Sequence, residues 1–168
     1  MRVVDRGTLY LAVLLIAIGV IVLGLNLIPG AGPAQTWPVI LFVIAIAFFL
    51  PAFLWPVSRR GLAGMAIPGS ILAVLAAILA YDTLTGDWSS WGYMWILIVA
   101  SVGLGLILAA SIGGWGRGTI VVGLWIAVSS LVVFSIFAGI FGGPVLRAIG
   151  PVLLIVVGVG FLARSFRR

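Results

Sequence analysis

The sequence predicts an all-α integral membrane protein, on three observations. Hydrophobic residues make up 64% of the 168, charged residues only 7%, and the mean hydropathy is +1.42. A soluble domain carries about 25% charged residues to coat its exterior, so lipid is the solvent for most of this chain. The apolar stretches are continuous rather than alternating, which reads as helix and not as barrel strand. The arginines stand in ones and twos between those stretches, where they act as topology signals.

Division at the charges and at the Pro, Gly and Trp clusters gives six spans, at about residues 9–28, 38–55, 67–83, 92–111, 119–141 and 148–163. Each is near the ~20 residues that cross a hydrocarbon core at about 1.5 Å per residue. The first is longer than the apolar run of a signal peptide, about 7–15 residues, so it is expected to be retained. The last reaches only about 24 Å at helical rise. Arg147 and Arg164 are expected to flank it and snorkel towards headgroups.

Arg2, Arg6, Arg59, Arg60, Arg117, Arg164, Arg167 and Arg168 fall at the N-terminus, after even-numbered spans, or at the C-terminus. Those places share one side of a membrane. The opposite loops hold only Arg147, with Asp82 and Asp87. The arginine bias of short loops then puts both termini in the cytoplasm.

The whole chain, 1–168, reads as one transmembrane domain with an internal threefold repeat. Arg6-Gly7-Thr8-Leu9 opens the first span, Pro68-Gly69-Ser70-Ile71 the third and Arg117-Gly118-Thr119-Ile120 the fifth. The even spans open on Trp37-Pro38-Val39-Ile40-Leu41, Met94-Trp95-Ile96-Leu97-Ile98 and Gly150-Pro151-Val152-Leu153-Leu154. The unit is a helical hairpin, at about 6–58, 68–113 and 117–166, and two spans per unit make the repeats parallel. A hydroxyl before each odd span can hold orphan N–H groups. Proline in the first turn of an even span loses no hydrogen bond.

The missing residues exclude most chemistry. There is no Cys and no His, every base is Arg and every acid is Asp. Thiolate and imidazole metal sites, disulfides, the usual general base, Schiff-base lysines and paired-Glu hydrolysis are all absent. No catalytic, metal or cofactor site is expected, and the chain reads as no enzyme. The net charge of +6 is spread too thinly for a nucleic-acid footprint.

Few polar residues remain as candidates. Arg60 to Asp82 is about 33 Å at helical rise, so Asp82 is expected at the far headgroups; a proton or cation relay is the sharper alternative. Asp87 shares that loop and is expected in water. Either acid is the natural counter-ion for Arg147, and lipid phosphate is the competing partner. Ser101, Ser129, Ser130 and Ser135 could extend Asp82 into a polar path, but such hydroxyls more often bond a carbonyl of the preceding turn. Asn26 suits a helix cap ahead of Pro29 and Gly30. Gly103, Gly105, Gly139, Gly143, Gly158 and Gly160 mark small-residue packing faces. Trp37, Trp88, Trp91 and Trp95, with Tyr81 and Tyr93, read as interface anchors rather than an aromatic cage.

Residues 6–50 carry a family likeness. Gly19-Val20-Ile21-Val22-Leu23-Gly24-Leu25-Asn26-Leu27, a short turn and Trp37-Pro38 together resemble the LiaI/LiaF-type transmembrane region of bacteria. The three-hairpin plan also resembles, more weakly, the HdeD-like six-span membrane proteins. The first resemblance implies a bacterial inner-membrane protein of the envelope-stress type. The expectation is a non-enzymatic structural or regulatory module acting through helix–helix contacts. Its partners would be the lipid bilayer and other membrane proteins or a second copy. The alternative is a small channel or transporter using Asp82 and the span-five serines.

Overall fold

The computed structural model describes residues 6–27 and 33–166. Among them there is no strand, and six long helices carry the chain: α1 Arg6–Leu27, α2 Pro33–Phe49, α3 Ala66–Thr85, α4 Ile96–Gly113, α5 Arg117–Phe141 and α6 Pro144–Ser165. Five helical runs are long and apolar enough to cross a membrane: Gly7–Gly24, Thr36–Leu54, Arg59–Thr85, Ile96–Gly113 and Arg117–Phe141. In α6 the described apolar stretch, Gly150–Gly160, is shorter. Arg2, Arg167, Arg168 and the side chains of Asn26 and Arg164 lie outside the described residues.

Each helix packs chiefly on its neighbours in sequence: α2 on α3, α3 on α4, α4 on α5 and α5 on α6. Side-chain size decides how closely. A Cβ on Gly103 would stand 2.5 Å from the Ala127 nitrogen, and one on Gly123 only 2.6 Å from the Gly103 oxygen. Helices α4 and α5 therefore meet backbone on backbone, which only small residues permit. Gly105 lies against the Cα of Ile67, where a Cβ would come within 2.7 Å. Beside it Ser70 Oγ donates to the carbonyls of Ile67, at 2.9 Å, and Ser101, at 2.8 Å. Gly150 presses on the Ser135 carbonyl and approaches Gly139, joining α6 to α5.

Helix α1 is held differently. It rests on α2 with most of its surface exposed. Tyr10 Oη donates to the Ala47 carbonyl at 2.5 Å. The Tyr10 ring also meets Trp55 edge-on, with centroids 5.9 Å apart.

Three boundaries depart from the sequence expectation. Helices α2 and α6 start at Pro33 and Pro144, so Pro38 and Pro151 lie inside them rather than opening them. The earlier prolines take the N-terminal turn, where a missing N–H costs nothing. Helix α6 is consequently 22 residues, about 33 Å, although its described apolar stretch is only Gly150–Gly160. Arg147 falls in its opening turn, exposed, with its N–H bonded to the Gly143 carbonyl at 2.9 Å. The fourth span begins at Ile96, and residues 88–94 form separate short turns, Trp88–Ser90 and Trp91–Met94.

Candidate buried polar site

Helix α3 continues past Asp82 to Thr85 and stops at Gly86, which adopts the left-handed conformation at φ 72°. Glycine takes that backbone without a Cβ penalty. The Gly86 N–H bonds to the Asp82 carbonyl at 2.8 Å, and Thr85 Oγ1 donates to the Tyr81 carbonyl at 2.8 Å. The chain then reverses, and the short turns Trp88–Ser90 and Trp91–Met94 return against α3 and α5.

This return corrects the expectation for Asp82. The residue is 0% exposed, and Ser90 Oγ donates to its Oδ1. Distance along α3 places Asp82 near the helix end, but the returning segment covers it. Its second oxygen, Oδ2, is buried with no hydrogen-bond partner, as are Thr83 Oγ1 and Tyr93 Oη. Tyr93 is 3% exposed and shares a core cluster with Ile78, one helical turn before Asp82, and with Phe134 of α5. Burial, then the nearby Tyr81, Asp87 and Asp82, raise the Tyr93 phenol above its ordinary value of 10.0. It therefore remains protonated and able to donate.

The anticipated ion pair is not assembled. Asp82 is sealed in the interior while Arg147 is exposed, and among the described residues no ion pair joins Arg147 to Asp82 or Asp87. The Asp87 carboxylate instead accepts the Ser89 hydroxyl at 2.5 Å. The serines do not form a connected path either. Ser101 Oγ donates to the Ile98 carbonyl at 2.6 Å, Ser129 Oγ to Ile126 at 3.1 Å and Ser135 Oγ to Leu131 at 2.7 Å. Ser130 is buried; with Ser129 it lines a groove of about 330 Å³ beside Trp95 and Phe137. A larger groove, about 460 Å³, runs between α3, α4 and α5 past Val74, Ile78, Tyr81, Leu97 and Leu131, and is almost wholly apolar.

The other candidates divide. Gly103, Gly105 and Gly139 face neighbouring helices, whereas a Cβ on Gly143, Gly158 or Gly160 would meet nothing within 4 Å. The close approach of α6 to α5 is made at Gly150 instead. Trp37, Trp88 and Trp95 are exposed and Trp91 is half-buried. Sequence reasoning missed Ser90 and Thr83 and read Tyr93 as an interface anchor, whereas the turn after Gly86 carries it into the core beside Ile78 and Phe134. The available signal was Gly86, a helix stop one turn beyond Asp82, with Ser89 and Ser90 three and four residues later.

Missed too was the fastening at the opposite end of α3 and α4. Helix α4 ends at Gly114, left-handed at φ 64°. Trp115 then turns back, donating from Nε1 to the Arg60 carbonyl at 2.9 Å and covering Gly64 and Gly113. No family model, curated protein or solved structure matches the chain.

Proposed function

We propose that this chain is a non-enzymatic multi-pass inner-membrane protein, a structural or regulatory module that acts through helix–helix contacts. The observation that carries this reading is the contrast between α1 and the rest. Helices α3 to α5 close on one another through Gly103, Gly105, Gly123 and Ser70, and α2 meets α3 where Phe48 and Phe49 stand against Gly69. Helix α1 keeps Leu15, Ile16, Val20 and Leu23 on its exposed surface. One polar tie of α1 to α2 is the Tyr10 hydroxyl. In lipid, helix association relies on packing and polar ties rather than on the hydrophobic effect, so a thinly fastened helix is free to exchange neighbours.

Six spans in three parallel hairpins, with both termini cytoplasmic, complete the reading. The Trp115–Arg60 hydrogen bond supports it by bringing the Arg59–Arg60 turn and the Arg117 loop to one end of the bundle. Asp82 and Asp87 lie at the other end of α3. Reporter fusions at Arg168 and in the Asp87 loop test the topology, with cytoplasmic and exterior signals expected respectively. The LiaI/LiaF-type resemblance supports an envelope-stress role.

Photocrosslinkers at Leu15, Ile16 and Leu23 test the module directly. Discrete protein adducts that change with position around α1 support it; labelling of lipid alone at all three positions removes it. The transporter reading draws on the burial of Asp82. Ion flux in liposomes that vanishes in Asp82→Asn favours that reading over the module.

A further inference from the structure

The carboxyl of Asp82 is sealed from solvent, and its described partner is the neutral hydroxyl of Ser90. A buried carboxylate is costly unless a positive charge and further hydrogen bonds compensate it. Among the described residues no arginine reaches it. Three oxygens nearby in the chain are buried without partners: Asp82 Oδ2, Thr83 Oγ1 and Tyr93 Oη. Thr83 adjoins Asp82 in sequence. Tyr93 is brought back by the turn after Gly86 and packs in one cluster with Ile78, a turn before Asp82. A neutral partner such as water would leave a charge on Asp82 uncompensated.

We propose that Asp82, Thr83, Ser90 and Tyr93 form a buried site for one small monovalent cation of the sodium type. The donor set argues for that class. All of the atoms are oxygens, which suits a hard ion and excludes soft metals. One carboxylate balances one positive charge. Calcium sites gather six to eight oxygens, commonly with several carboxylates, and Asp87 is turned to Ser89 instead. Tyr81, Asp87 and Tyr93 are the titratable groups around the site, and none carries a positive charge. Ser90 both caps the carboxyl and belongs to the short turn that covers it, so the ion enters when that turn lifts.

The site stands independently of the module reading, which is judged by crosslinking. Its test is thermal unfolding of the full chain in detergent, titrated with sodium chloride against choline chloride at constant ionic strength. A ligand that binds only the folded state stabilises it as its concentration passes the dissociation constant. A saturable, sodium-specific rise of about 2–4 °C is expected. The rise should vanish in Asp82→Asn and move to higher sodium in Tyr93→Phe. Should Asp82→Asn not fold, Thr83→Val takes its place, and ²³Na line broadening on the unaltered protein reads binding directly. Equal stabilisation by choline, or a sodium response that survives Asp82→Asn, overturns the proposal. A stability that follows pH and ignores sodium also overturns it, making the ligand a proton.

Discussion

Ser90 and Asp82, eight residues apart, are joined by a buried hydrogen bond that ties the segment after Gly86 to the end of α3. The bond has a consequence for mutation. Ser90→Ala removes the donor and leaves both carboxyl oxygens orphaned, which costs about 1–3 kcal/mol. Replacing both partners with apolar residues, Ser90→Ala with Asp82→Leu, should recover much of that loss. Unfolding of the four proteins of this cycle in detergent gives the coupling, and additive losses would mean that the bond contributes nothing.

Close packing at Gly103 gives a sharper outcome. A methyl group there meets the backbone of Ala127 and Gly123, neither of which can swing aside. Gly103→Ala should therefore destabilise by about 1–3 kcal/mol, and Gly123→Ala similarly. Gly158→Ala, with open space around it, should stay within about 0.5 kcal/mol of the unaltered protein. Thermal midpoints in one detergent compare the three.

Tyr10→Phe keeps the edge contact with Trp55 and removes the bond to the Ala47 carbonyl. The expected loss is about 0.5–1.5 kcal/mol, confined to α1. Amide exchange should quicken in α1 while α4 and α5 remain as protected as before. Uniform quickening would show that α1 belongs to the same cooperative unit.

At the other end of the bundle, Trp115→Phe deletes the indole N–H donor to the Arg60 carbonyl but keeps a ring over Gly64 and Gly113. Trp115→Ala loses both and should be the more damaging by about 2 kcal/mol or more. Limited proteolysis at Arg59 and Arg60, both exposed, should accelerate in the order unaltered protein, Phe, Ala.

Helix positions were largely legible in the sequence because apolar runs bounded by Arg, Gly and Pro leave few choices. The placement of starts was less so. Pro38 and Pro151 look like first-turn prolines until Pro33 and Pro144 are seen to occupy that role. The packing faces were half legible. Gly103 and Gly105 could be named from their spacing, but their partners, Gly123 and Ser70, belong to other helices, and no spacing rule connects them. Asp82 was misplaced for a physical reason. Counting rise from Arg60 estimates its height along the axis, yet burial depends on what folds over that height, and Gly86 decides it.

Neighbour-on-neighbour packing bears on how the molecule is made. Every principal interface joins a helix to the one before it, so a chain emerging from a ribosome would have each helix's partner already in place. Little loop entropy is spent in bringing distant segments together, and contacts local in sequence form fast. The bond between Ser90 and Asp82 spans eight residues and can form before α5 is synthesised. Assembly can therefore proceed from α2 towards α6 in the order of translation, leaving α1, made before them, as the helix least committed when the rest has closed.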